Sequence, residues 1–391
     1  MEVSIEPIIY DTASIEHIPS ICSSLVSNMR LIKEQTNFFL TNCQQNISME
    51  MMYNIHRLNN PYTFVKDVLV AEHVSKSVPG AVPSAVPSAV PGAVTNSRDS
   101  ADSDDSVDSV DSVDSDEHVF DPLFDQMFFV MIELCSTFGF LHTSICDSSS
   151  VIMYIGTNGK VFRDGIRFIT KGSTGNESVV HTSTLDTMID KLRVNDQTIN
   201  TLKTRTIYFD IPVREDDAPH TILDMLKVLY IILNIRCTCV IKSGSIVFKP
   251  LLDILYILSG TYSHLYISNP VVSVDINEQY IICNNSYPNH ASIEHITTTN
   301  STLLDIIDGL NVLSAAPPHV TSLIHSNMSQ HFLNKMEEST LVVGQKTIEY
   351  YENLMALLKI VSKEDKLDTV RKNAMSKCIQ WCTKHNVSHI S

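Results

Sequence analysis

The chain has 391 residues, of which 43% are hydrophobic and 18% are charged. That is enough material for two or three domains with a buried core, so the composition predicts a soluble globular protein. No apolar run approaches the roughly 18 to 20 residues that cross a membrane, and the first residues lack the basic and then apolar pattern of an export signal. These features exclude an integral membrane protein and predict a cytoplasmic one without membrane contacts.

The nine cysteines indicate a reducing compartment, because their number is odd and no CxxC pair occurs among them. Cys378 and Cys382 lie one helical turn apart, a spacing that can belong to a metal site. No second pair of cysteine or histidine residues at ligand spacing completes such a site. We therefore interpret both residues as structural thiols and expect no bound metal.

The net charge of -16 argues against nucleic acid as a partner until its distribution is considered. Residues 98–117 contain eight Asp, one Glu and one Arg, and so they carry half of that charge. A site for RNA would have to be a local basic patch on the rest of the chain. The candidate patch consists of Lys160, Arg163, Arg167 and Lys171.

Residues 1–73 are predicted to be a helical N-terminal region, since their apolar residues recur at helical spacing. Residues 74–117 then contain four V-P-x-A repeats and a run of D-S-V repeats. Proline at every fourth position removes backbone donors, and the aspartates repel one another, so neither stretch can form a core. We predict that 74–117 is a disordered linker or insert.

Residues 118–300 alternate between segments typical of strands and of helices. The predicted strands are FFVMIEL, VIMYIG, KVFRDGIRFI, RTIYFDI, CTCVIK, HLYISNP and NEQYIICNN; the predicted helices are SVVHTSTLDTMIDKLR, TILDMLKVLYIIL and KPLLDILYILSGTY. Such alternation with a final hairpin predicts an α/β, Rossmann-like sheet that is mostly parallel and has an antiparallel edge. Residues 301–391 are predicted to form a helical C-terminal region, which includes the segment SLIHSNMSQHFLNKM.

A lysine that ends a buried strand carries the most specific signal in the chain. Lys242 ends the strand CTCVIK, a helix and the strand LYISNP follow, and then comes SVDINEQYIIC with Ser273, Asn277, Glu278 and Tyr280. This order resembles the closing half of the FtsJ-type ribose 2'-O-methyltransferases, where a strand-end lysine precedes a turn with serine and an N-x-E-x-Y strand. Within that family the chain is most similar to the FtsJ-like proteins of large cytoplasmic DNA viruses such as the asfarviruses. The resemblance implies a class I methyltransferase domain over 118–300.

The resemblance also implies a catalytic tetrad of lysine, aspartate, lysine and glutamate. Asp210 at the end of RTIYFD fits the aspartate, and Lys242 and Glu278 follow it at intervals of 32 and 36 residues. Lys66, in NPYTFVKDVLV, is the candidate for the first lysine, separated from the rest by the insert. Burial and a second cation can lower the pKa of a lysine. Such a lysine can remove the proton of a hydroxyl group or orient that group. We expect Asp210, Lys242 and Glu278 to converge at the carboxyl ends of neighbouring strands.

The methyl donor implied by the resemblance is S-adenosyl-L-methionine, which the family binds at an acidic strand end followed by a glycine-rich turn. The candidate cofactor-binding residues are Glu133, at the end of the predicted strand FFVMIEL, with Gly139 and Phe140 after it. This turn has one glycine where the family has several, so a degenerate cofactor site is an alternative. We interpret Gly156 and Gly159, in YIGTNGK, as a hairpin turn.

Three functions are compatible with the sequence. The first is a methyltransferase that uses S-adenosylmethionine to modify the ribose 2'-hydroxyl of RNA, with capped mRNA as the expected substrate, in the host cytoplasm or virion if the chain is viral. The second is a catalytically inactive methyltransferase-like subunit that binds and stimulates an RNA-capping enzyme, as the incomplete glycine turn and long helical regions suggest. The third is an unrelated interaction protein.

Overall fold

The computed structural model describes seventeen segments of the chain. These are residues 5–10, 22–43, 48–68, 126–139, 151–156, 159–169, 179–182, 184–194, 204–211, 218–235, 237–244, 246, 249–273, 275–286, 303–310, 319–324 and 328–387. The predicted insert, 74–117, lies outside them. In the described part of the chain no helix has the length and apolarity needed to cross a bilayer.

Helices and strands alternate through the central part of the chain. In chain order the elements are β1 Ile5–Tyr10, α1 Ser23–Cys43, α2 Met49–Asn59, a 3-10 helix Pro61–Val68, α3 Gln126–Phe138, β2 Val151–Ile155, α4 Gly159–Ile169, β3 Val179–Thr182, α5 Leu185–Arg193, β4 Thr204–Asp210, α6 Ala218–Ile235, β5 Thr238–Ser243, α7 Lys249–Thr261, β6 Tyr262–Ser268, β7 Gln279–Ser286, α8 303–310, β8 His319–Ile324, α9 Gln330–Ile360 and α10 Glu364–Lys384.

The main sheet contains six strands of the described residues, in the order β3-β2-β4-β5-β7-β6. Strands β3, β2, β4 and β5 are parallel to one another, whereas β7 is antiparallel to both β5 and β6. The fold is therefore α/β with a mixed, mostly parallel sheet, as predicted. The reversed strand, however, lies one place in from the edge, and the edge strand β6 runs parallel to β5.

Both faces of this sheet are buried, which is why its central strands are almost continuously apolar. On one face, Phe209 and Ile241 pack in a core that α6, α7 and α8 complete. On the other face, Tyr154, Tyr208 and Tyr280 pack against α3, α4, α10 and the 3-10 helix. This second face is called the tyrosine face below.

Two predicted strands are wrong. FFVMIEL belongs to α3, whose apolar residues surround the helix because it is buried between the sheet and α10. KVFRDGIRFI belongs to α4, where Val161, Phe162 and Ile166 face the core and Arg163 is half-buried. The segment SVVHTSTLDTMIDKLR contains strand β3 before helix α5, which Thr184 caps with its side chain.

The N- and C-terminal regions contain strands as well as the predicted helices. The predicted helices after residue 301 correspond to α8, α9 and α10, but SLIHSNMSQHFLNKM begins inside β8. Strand β8 pairs antiparallel with β1, which lies in the N-terminal region predicted to be helical. The Asp253 carboxylate on α7 accepts hydrogen bonds from the backbone of Leu323 and Ile324, and it thereby fixes β8 to the main domain.

Candidate functional site

Asp210, Lys242 and Glu278 meet at one edge of the sheet. Lys242 Nζ lies 2.7 Å from Glu278 Oε1 and 3.5 Å from Asp210 Oδ1. Asp210 and Lys242 are register partners at the carboxyl ends of β4 and β5. The predicted convergence is confirmed, with one difference: Glu278 immediately precedes β7, and it reaches this edge because β7 runs in the opposite direction.

This edge is the topological switch point of the sheet. After β2 the chain moves outward to β3 and then returns to the other side of β2 to form β4. Open α/β sheets bind ligands in the crevice at the carboxyl ends of the two strands where the direction reverses. Gly156 follows β2 and Asp210 ends β4, so both residues lie at that crevice.

Gly156 fits closely against Asp210. A Cβ placed on Gly156 would lie 2.5 Å from Asp210 Cβ and 3.0 Å from Tyr154 Oη, and the residue has a φ of +153°. Helix α4 begins three residues later, at Gly159. The interpretation of YIGTNGK as a hairpin turn is therefore wrong, since these glycines belong to a connection from a strand to a helix.

Tyrosine and serine hydroxyls hold the two carboxylates. Tyr154 donates to Asp210 Oδ2 at 2.7 Å, while Ser273 and Tyr280 both donate to Glu278 Oε2. Burial, followed by the charge of Glu278, raises the pKa of Tyr280 well above its usual value, so its hydroxyl remains a donor. Asp210, Lys242 and Glu278, called the trio below, are thus built into a network with little freedom to rearrange.

Lys242 is charged in this environment. Burial acts to lower the pKa of its ammonium group, but the hydrogen bond and charge of Glu278, together with Asp210, outweigh burial and raise that pKa. Of the two roles considered for such a lysine, the raised pKa favours orienting a hydroxyl over removing its proton. Because 19% of the lysine side chain is exposed, the ammonium group can still reach a ligand in the crevice.

The predicted cofactor turn after α3 has a different structure. Glu133 lies on a helix rather than at a strand end, and its carboxylate accepts hydrogen bonds from Val271 N, Val272 N and Trp381 Nε1. Gly139 ends α3 as a left-handed cap, with its N–H bonded to the Cys135 carbonyl. Phe140 lies outside the described residues.

The structure describes the backbone of Lys66 but not its side chain. It belongs to the 3-10 helix, whose Phe64 and Val65 pack on the tyrosine face that also carries the trio. Nothing is described of its side chain, so its role stays a prediction. The proposed basic patch is likewise only partly described: of its four members, Arg163 alone has a described side chain, half-buried on α4.

The sequence reasoning missed three residues of the site, Tyr154, Tyr208 and Gly156. Tyr154 and Tyr208 lie on neighbouring parallel strands two positions before Gly156 and Asp210, and their rings stack at 5.6 Å between centroids. The sequence did contain a signal for Gly156. Two glycines in YIGTNGK stand between an apolar strand and KVFRDGIRFI, whose apolar residues recur at helical spacing, and this order indicates a turn from a strand to a helix.

Comparison with models of known protein families finds no match, and comparison with curated proteins finds no significant match.

Proposed function

We propose that this protein is an S-adenosylmethionine-dependent methyltransferase that acts on the ribose 2'-hydroxyl of RNA, with capped mRNA as the expected substrate. The observation that carries the proposal is the Lys242 ammonium group held between Asp210 and Glu278 at the ligand-binding edge of an α/β sheet. Their order along the chain resembles that of FtsJ-type enzymes, and their proximity is the arrangement that such chemistry requires.

The residues of the crevice suit the cofactor. Gly156 follows β2 and packs against Asp210 with no room for a side chain, and the N-terminus of α4 comes after it, as in other α/β sites that bind nucleotides. We therefore place the cofactor-binding turn at Gly156 and Gly159 and not at Glu133. Bound S-adenosylmethionine would supply an electrophilic methyl group; Gly156 and Asp210 would line its site.

The chemistry assigned to Lys242 is to position and stabilise an oxygen atom. Its ammonium group would donate a hydrogen bond to a ribose hydroxyl oxygen in the crevice and stabilise the negative charge that develops there as the hydroxyl proton passes to solvent water. The oxygen would then form its bond to the methyl group as the bond between that group and sulfur breaks. Asp210 and Glu278 keep the lysine protonated and fix its direction. Ser273 and Tyr280 keep Glu278 in place through hydrogen bonds.

A second candidate function is an inactive, methyltransferase-like subunit that stimulates a capping enzyme. It is favoured by apolar side chains that the helical regions leave exposed: Phe38 on α1 is 73% exposed, and Leu341 and Val342 on α9 are 52% and 58% exposed. Leu341 and Val342 are adjacent on α9, and neighbouring exposed apolar residues are a common feature of protein interfaces. In this case the trio would serve stability alone.

One assay separates the two functions. Purified protein is incubated with capped RNA and radiolabelled S-adenosylmethionine, and the RNA is digested to locate the label. An active enzyme gives ribose-methylated nucleotides, and calorimetry detects binding of S-adenosylhomocysteine. Absence of transfer combined with stimulation of a capping enzyme would instead support the second function.

A further inference from the structure

Glu133 joins three parts of the chain that are far apart in sequence. It lies on α3, accepts the indole N–H of Trp381 on α10 at 3.1 Å, and accepts the backbone N–H groups of Val271 and Val272 at 3.1 and 3.4 Å. Val271 and Val272 belong to the loop between β6 and β7, residues 269–278, which is called the Glu278 loop below. A carboxylate with three such donors is a rigid attachment point.

The Glu278 loop leads directly from this attachment to the proposed active site. Ser273, the residue after Val272, is buried and donates its hydroxyl to Glu278 Oε2. Asn269 donates to the Glu278 carbonyl at 2.7 Å, and Asn60, next to the 3-10 helix, donates to the Ser273 carbonyl at 2.7 Å. Short links therefore run from Trp381 through Glu133 and Ser273 to Glu278 and Lys242.

We propose that Glu133 and Trp381 are positioning residues, which hold the Glu278 loop so that the carboxylate of Glu278 meets Lys242. The C-terminal helix α10 is then part of the catalytic machinery rather than an appendage. This inference rests on the proposed function for its kinetic consequence. Its structural consequence, the placement of Glu278 beside Lys242, can be measured without methyl transfer.

The test uses two conservative variants of the full-length protein. In Glu133→Gln, an amide N–H group replaces an acceptor oxygen and faces donors, so the attachment of Val271, Val272 and Trp381 weakens. Trp381→Phe removes the indole N–H donor but retains a ring against Phe129, whose centroid lies 6.2 Å from that of Trp381. Ser136→Ala is the matched control: the Ser136 hydroxyl bonds to the backbone carbonyl of Glu133 and to His385, the residue after α10, so it joins the same two parts of the chain without using the Glu133 carboxylate.

The first readout is the acylation of Lys242 as a function of pH, followed by mass spectrometry on folded protein. Only the neutral amine reacts, and Glu278 keeps Lys242 protonated. The groups that face Lys242 on the packed elements are Asp210, Glu278 and Tyr280. We expect Glu133→Gln to shift the profile to lower pH and to raise the acylation rate at pH 8 several-fold, with a smaller shift in the same direction for Trp381→Phe. Ser136→Ala should retain the profile of the original protein.

The second readout is steady-state methyl transfer. We expect Glu133→Gln to lower kcat about 10- to 100-fold through misplacement of Glu278, with less effect on KM, and the double variant to be no worse than Glu133→Gln alone. If both variants keep the original acylation profile and kcat, the positioning role is overturned. If the acylation profile shifts although the original protein transfers no methyl group, the placement of Glu278 by Glu133 stands and the proposed function fails.

Discussion

Lys242 and Glu278 come together from strands that run in opposite directions: Lys242 is the last residue but one of β5, Glu278 precedes β7, and their Nζ and Oε1 atoms are 2.7 Å apart. Were β7 parallel to β5, the residue before it would lie at the far edge of the sheet. The reversal of one strand therefore supplies a second carboxylate to a lysine that already has Asp210 beside it.

The glycine at the end of β2 provides a test of the crevice. We expect Gly156→Ala to destabilise the protein by about 1 to 3 kcal/mol, because the added methyl group would overlap Asp210 Cβ in a backbone conformation that suits glycine. Thermal unfolding measures the effect. Gly260→Ala is the matched control: this helical glycine has no atom near an added Cβ, so the substitution should be neutral or stabilise by up to about 1 kcal/mol. Equal midpoints for the two variants would contradict the packing described at Gly156.

The lowered pKa of His385 leads us to expect a loss of folding stability in acid. Burial, and then the charge of Lys384, lower its pKa from 6.5 to about 4. Between these values the unfolded chain binds a proton that the folded protein does not, so stability is present above pH 6.5 and falls as the pH decreases toward 4. We expect His385→Gln, whose amide can still bond to Ser136, to have a flatter dependence of unfolding midpoint on pH in this interval. Parallel curves for the two proteins would show that His385 does not titrate in this way.

Some elements of the fold were predictable from the sequence and others were not. Strands β4 and β5 were predicted because short apolar, β-prone runs end at Asp210 and Lys242, and the resemblance to FtsJ-type enzymes, with its intervals to Glu278, indicated the trio. FFVMIEL failed because a short, wholly apolar run is equally compatible with a buried strand and a buried helix. That error moved the expected first strand away from β2 and hid the role of Gly156. The contact between Glu133 and Trp381, 248 residues apart, had no local signal at all.

The insert offers a prediction that does not depend on the site. We expect deletion of residues 74–117 to leave the unfolding temperature within a few degrees of the original, because the proline and aspartate repeats have no pattern that could build a core. Circular dichroism and thermal unfolding provide the measurement, and limited proteolysis of the intact chain should cut first within this segment. A deletion variant that fails to fold, or protection of the segment from protease, would contradict this expectation.

The most direct test of the central claim is methyl transfer to capped RNA by Lys242→Ala, measured together with binding of S-adenosylhomocysteine. Lys242 is assigned to the ribose oxygen and not to the cofactor, so transfer should fall by about 100-fold or more while cofactor affinity stays nearly unchanged. Lys335→Ala, at an exposed lysine of α9 that is paired with Glu338, is the control and should transfer normally. Full transfer by Lys242→Ala would contradict the catalytic assignment of the trio.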